Sequence, residues 1–243
     1  MPNLLILGGT TEANALAKTV AEQGITATYS YAGRVDNPRP QPVPLRVGGF
    51  GGAEGLARYI RKHGVSHVVD ATHPFAAQMS RNAMEACAGV ATPLAALTRP
   101  AWVAQDGDNW QHVPDIECAV EALAGSARRV FLAVGRMHLH DFAVQPQHHY
   151  LLRLVDEPET VPLPNSEVIV SRGPFSVEDD RMLMEDHRTQ LIVSKNAGGT
   201  GARAKLDAAR VLGLPVLMID RPTLPKRTEL ANVTQVLDWL AHT

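Results

Sequence analysis

A short run of glycine, threonine and glutamate near the start of the chain has the composition of a phosphate-binding turn. It consists of Gly8, Gly9, Thr10, Thr11 and Glu12, and it directly follows an apolar stretch. Glycine lets the backbone turn tightly and approach a phosphate, and the unpaired N–H groups that open a helix favour an anion. The full G-x-G-x-x-G pattern is absent, so an ordinary strand–helix turn with a threonine N-cap is the competing interpretation.

The segment after this turn indicates which dinucleotide would bind. A second predicted strand follows about twenty residues later, which is the layout of a dinucleotide-binding fold. An enzyme that uses NADH carries an acid at the end of that strand, whereas here no acid occurs before Asp36. Ser30 and Arg34 stand there instead and suit a 2′-phosphate, so the sequence favours NADPH. The alternative for Arg34 is a solvated loop arginine.

Polar residues end the fourth predicted strand, in an otherwise apolar context. They are Asp70, Thr72 and His73. We expect them near a nicotinamide or a substrate, where His73 can donate a hydrogen bond or a proton near neutral pH. Asp70 or Thr72 can also cap a helix that begins near Pro74, and the two roles are compatible.

Basic residues recur at strand ends and helix starts in the second half of the chain. They are Arg136, Arg172, Lys195, Arg203 and Lys205, and the last three surround a glycine-rich loop. This loop lacks the Gly-Lys-Ser/Thr order of a P-loop. In a chain of net charge -2, such cations indicate a small ligand with several negative charges. Taken singly, each is explained equally well as a solvated side chain.

The elements that position these residues alternate between short apolar runs and longer amphipathic stretches, which indicates parallel sheets with crossover helices. The predicted strands are 3–7, 25–31, 43–47, 67–70, 92–97, 129–134, 149–154, 167–171, 190–194 and 215–219. The predicted helices are 11–23, 53–63, 75–88, 116–124, 177–186, 202–211 and 232–241. We predict an α/β fold of two Rossmann-like lobes with a ligand cleft between them. An NADPH-binding lobe spans 1–98, a connecting segment 99–115 and a second lobe 116–243.

Composition excludes several classes of protein. The net charge of -2 provides no basic field for nucleic acid. The two cysteines lack CxxC spacing, and His138 and His140 have no evident further partners for a metal. No apolar run approaches the roughly 20 residues needed to cross a bilayer, and the first residues are typical of a core strand rather than a signal peptide. We therefore expect a soluble cytoplasmic protein without a resident metal, of open oligomeric state.

Seven motifs, taken in order, resemble one family. They are Ile6-Leu-Gly-Gly-Thr-Thr-Glu12, Gly48-Gly-Phe-Gly-Gly52, Asp70-Ala-Thr-His-Pro-Phe-Ala76, Thr98-Arg-Pro-Ala-Trp102, Arg172-Gly-Pro-Phe175, Lys195-Asn-Ala-Gly-Gly-Thr-Gly201 and Arg221-Pro222. Together they resemble the precorrin-6A reductase family of cobalamin biosynthesis, over nearly the whole chain. The third and sixth motifs are far more specific than a glycine pair.

The resemblance implies reduction of one double bond of the tetrapyrrole macrocycle precorrin-6A by NADPH, which gives precorrin-6B. It implies that residues 8–12 hold the dinucleotide, with Ser30 and Arg34 at its 2′-phosphate. Asp70, Thr72 and His73 would lie near the nicotinamide, and His73 is a candidate proton donor. The residues expected at substrate carboxylates, or in part at cofactor phosphates, are Arg99, Arg136, Arg172, Lys195, Arg203 and Lys205.

Three alternatives stay open at this point. The same chemistry on cobalt-precorrin-6A of the anaerobic pathway needs no metal ligand from the protein, because the metal belongs to the substrate. A non-catalytic NADP(H) sensor would bind dinucleotide without needing the cations of the second lobe. A glycosyltransferase-like enzyme would leave NADPH unoxidised.

Overall fold

The protein, described here from a computed structural model over residues 2–33 and 39–243, alternates strands and helices as the sequence predicts. The strands are β1 (Asn3–Leu7), β2 (Thr26–Tyr31), β3 (Leu45–Val47), β4 (His67–Asp70), β5 (Leu94–Leu97), β6 (Trp110–Val113), β7 (Arg129–Ala133), β8 (His149–Leu154), β9 (Ser166–Val170), β10 (Leu191–Lys195), β11 (Val216–Ile219) and β12 (Thr228–Leu230). The helices are α1 (Thr11–Glu22), α2 (Gly52–His63), α3 (Ala77–Gly89), α4 (Ile116–Glu121), α5 (Val177–Asp186), α6 (Ala204–Val211) and α7 (Val233–His242). Among these described ranges, no helix has the length and apolarity to cross a membrane.

The first compact unit consists of residues 1–100 and 223–243. Its parallel strands lie in the order β12-β5-β4-β1-β2-β3. With β12 as the sixth strand, this is the 3-2-1-4-5-6 order of dinucleotide-binding folds. In such sheets the ligand lies outside the carboxyl ends of the strands, where the order reverses, which here is beside β1 and β4.

The second compact unit consists of residues 101–222, and its parallel strands lie in the order β6-β11-β10-β7-β8-β9. Counted from β7, five of these strands repeat the 3-2-1-4-5 order of the first unit. The order reverses between β7 and β10, so the segments after these two strands correspond to those after β1 and β4. The predicted α/β fold with two parallel sheets is confirmed.

Two edge strands correct the predicted division of the chain. β6 lies in the segment predicted to connect the lobes, and it pairs with β11 of the second unit. β12 was not predicted as a strand, and its residues were assigned to the second lobe. It pairs with β5, and α7 packs against the core of the first unit. Residues 223–243 therefore belong to the first unit, whose first segment ends at 100 rather than 98. The second unit runs from 101 to 222 rather than from 116 to 243. Both strands are short edge strands, which local sequence pattern specifies weakly.

Alternate residues of β1 face two different cores of the first unit. Leu4 and Ile6 pack with α1 and α7, whereas Leu5 and Leu7 pack with α2 and α3. None of the four is more than 2% exposed. A strand buried on both faces is a continuous apolar run, and its carboxyl end is held rigidly where the glycine turn begins.

Candidate functional site

Three strands of the first unit end at one edge of the sheet, and hydrogen bonds join the segments that follow them. The N–H of Gly8, after β1, donates to the carbonyl of Ser30 at 3.0 Å. The hydroxyl of Thr10 donates to the carbonyl of Ala71, after β4, at 2.8 Å. The structure thus brings together the residues after β1, β2 and β4 that the sequence assigned to the dinucleotide.

The glycine turn is shaped by the ring of Tyr29 from β2. A Cβ on Gly8 would overlap that ring, so only glycine fits there. The Tyr29 hydroxyl accepts a hydrogen bond from the Gly9 N–H at 2.9 Å and donates one to Asn14 Oδ1 at 2.8 Å. Burial raises the pKa of this hydroxyl, which keeps its proton for that donation. Gly9 has a φ of 121°, and a Cβ there would meet no atom within 4 Å. The space in front of the turn is therefore open, as a phosphate requires.

The first turn of α1 contains the predicted threonine N-cap and an ion pair that was not predicted. Thr10 is the N-cap, because its hydroxyl accepts the Ala13 N–H at 3.1 Å. Glu12 pairs with Arg99 at 2.5 Å, and their side chains are 24% and 16% exposed. Burial raises the pKa of Glu12, but the hydrogen bond from its own N–H, the charge of Arg99 and the hydroxyl of Thr11 outweigh this, so the pKa lies below its ordinary value. Arg99, expected at a substrate carboxylate, is thus paired within the unit.

Asp70 is buried and its carboxylate is fully engaged. One oxygen accepts the hydroxyl of Thr72 at 2.6 Å and its N–H at 3.2 Å. The other accepts the hydroxyl of Ser80 at 2.6 Å and the guanidinium of Arg227 at 2.7 Å. With its side chain 2% exposed, Asp70 organises the loop after β4, the start of α3 and the returning C-terminal segment. This placement favours a positioning role over direct contact with a cofactor.

His73 lies in the loop that Asp70 organises and is half-buried. Its Nδ1 accepts the N–H of Phe75 at 3.2 Å, and its carbonyl accepts the N–H of Ala76 at 2.7 Å. A neutral imidazole with Nδ1 as acceptor carries its proton on Nε2. Protonating Nδ1 would break the hydrogen bond from Phe75, so this geometry suits a hydrogen-bond donor better than an acid that cycles through imidazolium.

β3, which pairs with β2, contains a cation that the sequence reasoning missed. Arg46 of β3 pairs in register with Ser30, and its guanidinium donates to the Ser30 hydroxyl at 3.1 Å. It also donates to the carbonyl of Gly49 at 2.7 Å and lies 3.7 Å over the ring of Phe50. Arg34, predicted for this position, lies outside the described residues. An arginine at the end of a strand, just before a glycine run, is the signal that would have identified Arg46.

The predicted cations of the second unit differ in their surroundings. Arg136 is exposed and lies three residues after the end of β7, and Lys195 ends the neighbouring β10. Arg136 and Lys195 thus lie at or shortly after the ends of β7 and β10, the two neighbouring strands between which the strand order reverses. Arg172 follows β9, donates to the carbonyl of Val155 at 3.3 Å and forms an ion pair with Asp156. It is therefore two strands away from Arg136.

Lys205 and Arg203 lie at the start of α6. Lys205 is 5% exposed, and its ammonium donates to the carbonyl of Ala202 at 2.6 Å. Burial lowers the pKa of this lysine to about 7, assisted by the charge of Arg153 and opposed by that of Asp180. This burial makes Lys205 a support for the preceding loop rather than a surface contact for carboxylates. Arg203 pairs with Asp207, and its buried Nη2 has no hydrogen-bond partner among the described residues.

No group of three or more His, Cys, Asp or Glu side chains within residues 2–33 and 39–243 has the arrangement of a metal site. His138, one of the pair noted in the sequence, instead contacts Asp141 at 2.9 Å.

Comparison with known proteins gives consistent results. The sequence model of the family described as precorrin-6x reductase CbiJ/CobK matches residues 3–241. The precorrin-6A reductase of Rhodobacter capsulatus is 57% identical over 242 residues, which cover 99% of this chain and 96% of that protein. The cobalt-precorrin-6A reductase of Priestia megaterium is 31% identical over 98% of each chain. A solved structure titled CobK precorrin-6A reductase superposes with a TM-score of 0.95 at 56% identity, covering 100% of this chain and 97% of that one.

Proposed function

This chain belongs to the precorrin-6x reductase family, and we propose that it reduces precorrin-6A to precorrin-6B with NADPH. The observation that carries the proposal is the meeting, at one edge of a 3-2-1-4-5-6 sheet, of the glycine turn, Ser30 and the segment from Asp70 to His73. The family match then identifies the reaction that this edge supports.

The residues at this edge fit a dinucleotide. The open space in front of Gly9 and the first turn of α1 would take the pyrophosphate. When bound, the dinucleotide supplies the hydride. The task of the protein is to hold the reacting carbon atoms in line and to exclude competing chemistry.

The cofactor is NADPH rather than NADH because a hydroxyl and a neighbouring cation replace the usual acid at the end of β2. Ser30 and Arg46 take that position, and neither residue carries a negative charge that would repel a 2′-phosphate. The guanidinium of Arg46 is held by the Gly49 carbonyl and the Phe50 ring, so it is ordered in advance. Arg34, expected at the same phosphate, remains part of this proposal.

His73 would act as a neutral hydrogen-bond donor near the nicotinamide. Its Nδ1 is occupied by the Phe75 N–H, so Nε2 holds the ring proton. The proton that completes the reduction would then come from solvent. Asp70 and Thr72 keep the loop that carries His73 in place.

The substrate carries several carboxylates, and cations of the second unit, exposed or half-buried, are suited to them. Arg136, Lys195 and Arg203 follow the strands at which the second sheet reverses its order. Arg172 lies farther along the same edge, paired with Asp156. Charge complementarity of this kind positions a polycarboxylate without taking part in bond making.

The experiment is an anaerobic titration of the purified protein with NADPH and with NADH, followed by addition of precorrin-6A or cobalt-precorrin-6A. We expect oxidation of NADPH with a matching change in the macrocycle spectrum, faster with the cobalt-free substrate. Faster turnover of the cobalt form would assign the chain to the anaerobic reaction. Tight NADPH binding without turnover of either macrocycle would refute the catalytic proposal in favour of a sensor.

A further inference from the structure

The glycine-rich loop after β10 has its carbonyl groups held by donors from three separate segments of the second unit. Arg221, after β11, donates to the carbonyl oxygens of residues 196 and 197, each at 3.0 Å. The indole N–H of Trp102, which precedes β6, donates to the Gly199 carbonyl at 2.6 Å. Lys205, from α6, donates to the Ala202 carbonyl at 2.6 Å.

Trp102 is itself held firmly in place. Its backbone N–H donates to Asn196 Oδ1 at 2.7 Å, and its carbonyl accepts the Asn196 side-chain amide at 3.0 Å. The two residues are 6% and 4% exposed. The ammonium of Lys205 lies 4.9 Å from the centre of the indole ring, so the two donors also contact each other.

These contacts set the direction of the loop N–H groups. In a planar trans peptide the C=O and the next N–H point in opposite directions. The N–H of Gly198 therefore points away from Arg221, and that of Thr200 points away from Trp102. Neither N–H has a hydrogen-bond partner among the described residues. Gly198 and Gly199 have φ values of 70° and 72°, a backbone conformation that favours glycine.

Arg203, which directly precedes α6 at the end of this loop, has an unsatisfied donor. Its Nη2 is buried without a hydrogen-bond partner in the described part of the chain, although Nε pairs with Asp207. A buried guanidinium N–H left unpaired is costly, and a bound anion is a partner that removes this cost.

We infer that Trp102 and Lys205 are positioning residues for this loop. Trp102 turns the N–H of Thr200 outward beside that of Gly198, and Lys205 fixes the end of the loop at Ala202, so that the loop binds an anionic group of a ligand. This inference rests on the proposed function, which supplies two such groups: a carboxylate of the macrocycle and the pyrophosphate of NADPH. Neither positioning residue touches the ligand, because the loop itself makes the contact.

The test compares Trp102→Phe with Trp110→Phe as a matched control. Phe keeps an aromatic ring in the core but removes the indole N–H that holds Gly199. Trp110 packs in the same core, and its indole N–H has no partner among the described residues, so its replacement releases no loop carbonyl. Lys205→Met is the second variant, and it tests the inference if Trp102→Phe does not fold.

We expect Trp102→Phe and Lys205→Met each to weaken ligand binding about five- to tenfold, the value of one hydrogen bond, with kcat within about twofold. A rise in KM for precorrin-6A at unchanged NADPH Kd identifies a substrate carboxylate. A rise in NADPH Kd at unchanged KM identifies the pyrophosphate. The inference is overturned if both variants behave like Trp110→Phe in both constants, or if kcat alone falls.

An activity-independent measurement separates this inference from the proposed reaction. In protein labelled with nitrogen-15 glycine, the amide signals of Gly198 and Gly199 are followed during titration with inorganic pyrophosphate and with succinate. We expect saturable shifts in the wild type and in Trp110→Phe, and much weaker ones in Trp102→Phe. Shifts without turnover would retain the loop assignment while removing the reductase, whereas equal shifts in all three proteins would refute it.

Discussion

The replacement Asp70→Asn tests whether the carboxylate of Asp70 stabilises the packing of the C-terminal segment in the first unit. Asp70 accepts hydrogen bonds from Thr72, Ser80 and Arg227 at 2.6–3.2 Å. Its side chain is 2% exposed and that of Arg227 is 10% exposed. Asn keeps one acceptor oxygen but leaves Glu229, 3.3 Å away and 57% exposed, as the remaining counter-charge for the guanidinium of Arg227.

The size of the effect follows from this burial. Removing one partner of a buried ion pair costs about 3–5 kcal/mol, because the other charge stays desolvated. Since Asn retains one acceptor, we expect the lower end, about 3 kcal/mol of unfolding free energy. For a chain of 243 residues, this corresponds to a decrease in Tm of roughly 6–12 °C.

The assay is thermal unfolding of Asp70→Asn followed by circular dichroism, with Glu54→Gln as the control. Glu54 forms an ion pair with Arg58 in which the side chains are 91% and 69% exposed, so its loss should cost less than about 1 kcal/mol. The double variant with Arg227→Gln should lose less than the sum of the single changes, because no charge stays buried alone. If the decrease in Tm for Asp70→Asn is no larger than that for Glu54→Gln, the reasoning is refuted.

Four further predictions concern single residues. Gly8→Ala should lower the free energy of unfolding by about 1–3 kcal/mol and weaken NADPH binding, because the new Cβ overlaps the ring of Tyr29. An unchanged Tm together with an unchanged Kd for NADPH would contradict this prediction. Arg46→Met should raise the Kd for NADPH about tenfold or more with little change for NADH, measured by nicotinamide fluorescence, whereas an equal rise for both would make Arg46 purely structural. His73→Asn should lower kcat less than about tenfold, since Asn still donates a hydrogen bond; a loss of 10²–10⁴ would indicate a true general acid. Burial lowers the pKa of Lys205 to about 7, so the unfolded chain binds more protons than the folded chain between about pH 7 and pH 10. In urea unfolding, the free energy of unfolding of the wild type should therefore rise relative to that of Lys205→Met as the pH increases through this range. A stability difference that falls over the same range would contradict the buried assignment of Lys205.

The sequence could predict that Gly8, Ser30 and Asp70 lie at strand ends, but not which side chains are buried supports. Gly8, Ser30 and Asp70 each stand at the end of an apolar run, and parallel strands place such ends at one edge. Whether a side chain then faces a ligand or the interior depends on residues far along the chain. Asp70 meets Arg227 and Lys205 meets Trp102, and no local spacing indicates either contact.

Arg46 is a residue whose place beside the predicted site could not be inferred from neighbouring positions in the sequence. The sequence suggested the 2′-phosphate site from the residues directly after β2, which are neighbours along the chain. Register between β2 and β3 instead places Arg46 beside Ser30, sixteen residues away. Sheet pairing thus adds a cation to the site that a reading of consecutive residues does not reach.

By itself, the sequence determined the strands buried on both faces, the helices between them and the glycine turn, because each is encoded by apolar runs and turn residues only a few positions apart. The seven motifs also determined the family. Only the tertiary structure decided where β6 and β12 belong, since edge strands of four and three residues acquire their place from backbone pairing with β11 and β5. It also decided which polar side chains are buried supports, because burial and pairing arise from contacts between segments that the chain brings together only on folding.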